Sequence, residues 1–198
     1  MRRPIAAVAA VAALGVVSAC STPVAKQTPM ASSSSASTPA GTSLTAPPVP
    51  SPLDTSKFEQ DPCSVLSQSQ AVQVANLTST RKSDGNVAPI CTWTDSDHNS
   101  VAIGFVPASG GLATVYKSQD NKSGYFKVAP DVGGLPAAFF GPYDDRNDGG
   151  CQVAVGVKTD EVFTVGVTFR KSSPNYGDPC AVTVKAAEAV VSTLKGGA

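Results

Sequence analysis

The sequence predicts an α+β fold: an antiparallel β-sheet packed by a short N-terminal helix and a longer C-terminal helix, stapled by two disulfides. Three observations predict it. Val153, Val155 and Val157 alternate along one run, and Phe163, Val165, Val167 and Phe169 along the next, with a polar turn at Lys158 to Asp160 between them. That is the pattern of an antiparallel hairpin with one buried face. Helical apolar stripes lie near both ends of the folded region, at Ala71, Val74 and Ala75 and at Val182, Ala186, Ala189, Val190 and Leu194. Finally, Cys63, Cys91, Cys151 and Cys180 form an even set, which reads as two disulfides in an exported chain.

Export is expected from the first twenty residues. Arg2 and Arg3 begin a basic region, Ile5 to Val17 is an apolar run, and Val17-Ser18-Ala19 narrows to small side chains before Cys20. The three regions are those of a secretory signal. The apolar run is shorter than the roughly 20 residues of a spanning helix. Val17-Ser18-Ala19-Cys20 resembles the bacterial lipobox. That resemblance implies cleavage before Cys20, diacylation of its thiol, and anchoring to the outer, extracytoplasmic face of the cell membrane. Two acyl chains give durable anchoring where one is marginal. Lipidation would also remove the odd thiol from the five cysteines.

Residues 1–19 are thus read as a lipoprotein signal peptide, 20–57 as the lipidated cysteine with a disordered tether, and 58–198 as one domain. Between Ser21 and Pro52, 20 of 32 residues are Ser, Thr or Pro, and Lys26 is the only charge. Such a tract lacks the apolar surface to repay its ordering entropy. Its proline content favours extended conformations, with a reach of roughly 100 Å at about 3.1 Å per residue.

Within the domain, Ser67 and Gln70 form a capping box that starts a helix over Gln68–Ala75. Arg81–Ala88 reads as a loop. Ile90–Trp93 and Val101–Phe105 read as strands of a hairpin across the polar turn Asp95–Ser100. A short helix is expected around Leu112–Gln119, then strands at Gly124–Val128 and Ala137–Phe140. The charged loop Gly141–Gly150 precedes the Cys151–Val157 and Val162–Phe169 hairpin. Gly156 and Gly166 lie opposite its apolar rows, where they can admit a helix or twist the ribbon. Asp178 and Pro179 provide an N-cap and first-turn proline for the last helix, and Gly196-Gly197 stops it.

Asp61-Pro62-Cys63 and Asp178-Pro179-Cys180 open two helix-bearing segments of equal length. Each cysteine is placed to tie a helix to a strand, which favours the pairs Cys63 with Cys91 and Cys151 with Cys180. Four cysteines allow three pairings, and sequence alone does not choose among them.

The order of these features resembles the actinobacterial DUF3558 family of small exported lipoproteins. The resemblance rests on Asp61-Pro62-Cys63, Cys91-Thr92-Trp93, Gly133-Gly134-Leu135, Cys151 before the hairpin, and Asp178-Pro179-Cys180 before the final helix. It implies a compact α+β envelope domain and carries no catalytic residues with it.

Nothing in the residue pattern points to catalysis, a metal or a cofactor. His98 is the only histidine and lies in a predicted turn, and no nucleophile motif accompanies it. The core cysteines lack the spacing of redox or zinc motifs. Asp144, Asp145, Asn147 and Asp148 lack the alternating ligand spacing of a helix–loop–helix calcium site. Phe139, Phe140 and Tyr143 form a candidate recognition patch beside that loop. The precursor carries 15 basic and 15 acidic residues, and without Arg2 and Arg3 the balance is −2. No basic run marks a nucleic-acid footprint. A noncatalytic binding module for an envelope protein, glycan or small apolar ligand is the expected function. A structural envelope component, or a hydrolase using His98, is the alternative. Mass spectrometry of the mature N-terminus is expected to give a diacylated Cys20, and an unmodified Cys20 would overturn the anchoring expectation.

Overall fold

The computed structural model describes residues 43–196, so the predicted leader, Cys20 and the tether to residue 42 lie outside the described residues, as do the last two residues. Seven strands form one antiparallel sheet: β1 (Ser79–Ser83), β2 (Ile90–Thr94), β3 (Ser100–Val106), β4 (Tyr125–Val128), β5 (Ala137–Gly141), β6 (Gly150–Gly156) and β7 (Val162–Thr168). Their spatial order is β1-β2-β3-β7-β6-β5-β4. Two meanders of consecutive strands therefore meet where β3 pairs with β7. Among the described residues four α-helices accompany the sheet: α1 (Ser56–Glu59), α2 (Gln68–Ala75), α3 (Gly111–Tyr116) and α4 (Pro179–Leu194).

Side chains alternate across a strand, so the register sorts residues into rows. Cys91, Ile103, Val165, Val153 and Phe139 form one row across five strands. Trp93, Val101, Val167 and Cys151 form the next. Phe105, Phe163, Val155 and Ala137 form a third. These rows are buried beneath α4, whose Val182, Ala186, Ala187, Val190 and Val191 face them, and beside α2 with Ala71 and Val74. The fully buried alanines of α4 let its backbone approach the sheet closely. Phe58 of α1 extends an aromatic file with Phe105 and Phe163, at centroid distances of 6.1 and 5.9 Å.

The Ser67–Gln70 capping box forms in both directions at the start of α2. Lys185 of α4 donates to the Gln73 carbonyl oxygen at 2.6 Å, satisfying the C-terminal end of α2. Both Asp-Pro-Cys triplets adopt the same backbone bend: Asp61 has φ −135° and ψ 72°, and Asp178 has φ −143° and ψ 68°. Each bend presents its cysteine to a strand. The disulfides are Cys63–Cys91 and Cys151–Cys180, with Cα separations of 4.9 and 5.2 Å. The first triplet opens a 3-10 turn, Pro62–Val65, and only the second opens an α-helix.

Two features differ from expectation. Ser79–Ser83 is a strand, whereas the helix was expected to give way to a polar stretch and a loop from Arg81. Every residue of β1 is exposed, so no buried face stamps an alternation on its sequence. Arg81 and Lys82 charge this sheet edge, which discourages edge-to-edge association. The second difference is at the N-terminal boundary, expected at residue 58. The backbone N–H of Leu53 donates to the Val157 carbonyl at 3.0 Å, and Ala46 and Val49 pack on the domain. Thr55 is fully buried; its hydroxyl donates to Glu161 and accepts from Lys158 at 3.2 Å. Glu161 is itself buried and pairs with Lys158 at 2.6 Å. The last part of the predicted tether is thus a strap clasped to the β6–β7 turn. Hydrogen bonding to Glu161 raises the Lys158 pKa above its ordinary 10.5. Its stabilising share is therefore complete below that value and lost as pH climbs through the raised one.

Gly133 and Gly134 have φ of 57° and 79° and form a two-residue turn, with Val132 and Leu135 exchanging backbone hydrogen bonds. A Cβ on Gly133 would lie 2.6 Å from Val191 Cγ1, whereas one on Gly134 would meet open space. Gly134→Ala is expected to cost about 1 kcal/mol from the left-handed backbone alone. Gly133→Ala should cost about 2 kcal/mol or more, because α4 must also shift. Urea unfolding of the two variants checks the difference.

Candidate functional site

The other face of the sheet is built from the residues between the core rows. It divides into a covered half and an open half. In the covered half, Val106, Val162, Ala154, Ala138, Phe126 and Phe140 pack with Leu112, Val115 and Tyr116 of the α3 segment and Ala46 of the strap. Gly156 makes this possible. A Cβ there would lie 3.1 Å from Val49 and 3.5 Å from Leu112, so its expected role in admitting a helix is met by α3 and the strap together.

The open half contains a groove of about 340 Å³. Its floor follows two rows: Ala102, Gly166 and Gln152, then Ile90, Gly104 and Thr164. Thr168 and Ser100 close one end. The groove is deep where side chains are missing. Gly104, Ala102 and Gly166 leave a trough between the longer residues of neighbouring strands. Among the described residues, the side chains of Gln152, Thr164, Ser100 and Thr168 have no protein hydrogen-bond partner, so their donors and acceptors are free.

The wall is the loop between β5 and β6. Phe140, Pro142, Tyr143 and Asp145 line the groove from this side. Tyr143 is 64% exposed, a large aromatic surface left to solvent. Asp145 lies over Gly150, where any Cβ would collide with its carboxylate. Among the described residues the Asp145 carboxylate has no partner, while its backbone carbonyl accepts from Asp148 at 2.8 Å and Gly150 at 3.0 Å.

This loop is held from the opposite face of the sheet. Arg146 makes a bidentate pair with Asp144, both bonds at 2.7 Å, and its guanidinium lies 3.9 Å from the Tyr125 ring centroid. Tyr125 lies on the helix-facing side of β4, with a buried hydroxyl that has no partner among the described residues. Burial pushes its pKa up. Hydrogen bonding to Arg146 holds the Asp144 carboxyl below its ordinary 3.8. The acidic loop is thus braced by its own arginine, and among the described residues no group of three or more His, Cys, Asp or Glu is placed to hold a metal ion.

The candidate patch of Phe139, Phe140 and Tyr143 is divided by strand alternation. Phe140 and Tyr143 reach the groove, whereas Phe139 is buried on the helix face. There it lines a cleft of about 340 Å³ with Tyr125 and Cys180 and a broader depression of about 630 Å³ with Val128 and Ala181. His98 sits exposed in the β2–β3 turn at φ 62° and does not line the groove. Asp95 organises that turn by accepting from the Asp97 and Asn99 backbones, both at 2.9 Å. Ser100, Gln152 and Thr164 went unmarked in the sequence. Their only signal was a file of small and polar residues between the apolar positions.

The family profile described as a protein of unknown function, DUF3558, matches residues 15–193. The chain belongs to the DUF3558 family. Comparison with curated proteins and with solved structures finds no match. Among the described residues no helix is long and apolar enough to cross a membrane. The DUF3558 match spans nearly all of the domain described above, including both disulfides and the groove.

Arg146→Ala is expected to return Asp144 toward its ordinary 3.8. It should also increase the disorder of the loop that carries Tyr143. Carboxyl-carbon NMR titration and backbone relaxation read both effects.

Proposed function

We propose that this DUF3558 protein is a noncatalytic binding module, anchored to the outer face of the cell membrane by a diacylated Cys20. Its recognition surface is the groove on the open half of the sheet. One observation carries the proposal: a trough floored by Gly104, Ala102 and Gly166 whose neighbouring polar side chains are left free by the fold. Free, convergent polar groups beside an exposed aromatic are the ordinary composition of a recognition site. Among the described residues, those lining the groove include no histidine to serve as base beside a nucleophile. The lipobox-like Val17-Ser18-Ala19-Cys20 supports the anchor, and the paired cysteines support an oxidising compartment.

Gly166→Val tests the groove without disturbing the fold. A Cβ at Gly166 meets only Gln152 Cγ, at 3.9 Å, and a β-branched residue suits the strand. The variant should keep its stability within about 1 kcal/mol while its isopropyl group fills the trough. Full-length protein in detergent, immobilised and exposed to solubilised envelope material, is expected to retain components that Gly166→Val does not. Identical retention by both proteins would overturn the groove as recognition surface.

A further inference from the structure

We infer that the groove takes a neutral saccharide, either a short oligosaccharide or a segment of a longer glycan. The inference rests on the groove being the recognition surface and names what it recognises. Four properties of the lining lead to this ligand class.

First, the groove lies on a sheet face. The floor strands β3 and β7 are paired on both sides, and β6 is paired with β7 along its length and with β5 over Val153–Val155, which leaves only Gly150–Gln152 without a partner strand on one side. Strand addition, the usual way a sheet captures a peptide, needs an unpaired edge. Three residues are too short a stretch for a strand to add to, so recognition in the groove falls mainly to side chains.

Second, those side chains are Gln152, Thr164, Ser100, Thr168 and Asp145. Together they both donate and accept, and their polar atoms are free among the described residues. An acyl chain laid over them would strip their water and return no hydrogen bonds, which is unfavourable. A sugar carries hydroxyl groups that donate and accept in turn, so each lining group finds a complement. A carboxylate such as Asp145 can accept from two neighbouring hydroxyls.

Third, the charge is suited to a neutral ligand. Among the described residues, Asp145 is the only charged side chain that lines the groove. A phosphate or a uronic acid would meet that carboxylate with no cation among the lining residues to offset it. A single carboxylate among hydroxyls and an amide is also too few ligands for a divalent cation.

Fourth, the wall offers an aromatic face. Tyr143 is exposed beside the polar floor, and the C–H face of a pyranose or furanose ring is apolar. Such a ring can cover Tyr143 while its hydroxyls point to Gln152 and Asp145. Tyr143 and Asp145 belong to the loop braced by Arg146 over Tyr125, so stacking surface and carboxylate are presented together. The volume of about 340 Å³ lies at the small end of ligand sites. It suits a short saccharide segment.

The test uses the full chain, 15N-labelled, in detergent. The probes are neutral tri- to pentasaccharides of common hexoses and pentoses, with a uronic-acid oligomer and an acyl-chain amphiphile as controls. Neutral saccharides are expected to shift the amide resonances of Gln152, Thr164, Gly166 and the 142–146 loop, saturably, while the uronic-acid oligomer and the amphiphile leave them unmoved. Tyr143→Ala and Asp145→Asn should each weaken binding by about five- to tenfold, and Gly166→Val should abolish it. Shifts caused by the amphiphile or the uronic-acid oligomer, with none from neutral saccharides, would overturn the ligand class and leave the groove as a recognition surface. Silence from every probe, with envelope components still retained in a Gly166-dependent way, would also reject the saccharide and keep the groove. Silence together with identical retention by Gly166→Val would reject both.

Discussion

The two-residue alternation of the central strands β3, β7 and β6 is the constraint on which the rest of the structure depends. On one face it places Val101, Ile103, Phe105, Val153, Val155, Phe163, Val165 and Val167, all buried. At about 25 cal/mol for each square ångström of apolar surface removed from water, such a face is the main favourable contribution to folding. It fixes register as well, because a slip of one residue would turn every one of these side chains toward solvent. The disulfides depend on the same alternation. Cys91 and Cys151 lie on the buried face, so each can be reached by a cysteine from the helix layer. The groove is the other consequence of that period. Once the apolar residues are committed to the helix face, the intervening positions are free to be Gly, Ala, Ser and Thr.

The two halves of the second face show what decides between cover and opening. Where Val106, Val162 and Phe126 project, α3 and the strap bury them. Where Ala102, Gly104 and Gly166 lie between polar side chains, there is little apolar area to reward a covering element. The strap ends its run in the clasp of Thr55, Lys158 and Glu161. A buried carboxylate is tolerated there because a hydroxyl and an ammonium both satisfy it. Removing one partner would leave a desolvated charge, so the clasp specifies where the strap sits more than it adds net stability.

Legibility in the sequence followed burial. The β6–β7 hairpin, α2 and α4 could be read because their buried faces impose a period on residues such as Val153, Val165 and Val190. The disulfide pairs were favoured by the repeated Asp-Pro-Cys triplet but left among three possible pairings, and the common backbone bend at both triplets is visible only in the fold. β1 could not be read, since Ser79–Ser83 buries nothing and its pairing with β2 leaves no compositional trace. The strap was hidden for a related reason: three modest anchors, Ala46, Val49 and Leu53, sit within a Pro- and Ser-rich tract. The groove was the least legible feature because it is made from missing side chains. Gly166 and Gly104 signal close approach in general, and only the assembled sheet shows which glycine faces a neighbour and which faces solvent. Phe139 and Phe140 were grouped by adjacency, although a strand sends adjacent residues to opposite faces.

The strap also changes the geometry of the proposed anchor. With residues from Leu44 onward seated on the domain, the chain between Cys20, the proposed point of lipidation, and Ser43 would be what separates domain from membrane. Its 23 links span at most about 80 Å at full extension, shorter than the roughly 100 Å expected when the tract was free to Pro52. The point of departure matters as much as the length. Leu44 is fixed by two hydrogen bonds with Gln119, just beyond α3. The strap covers part of the same sheet face that carries the groove. The domain end of the tether is therefore seated by contacts that belong to the fold, and the length left for reach is set by where those contacts begin.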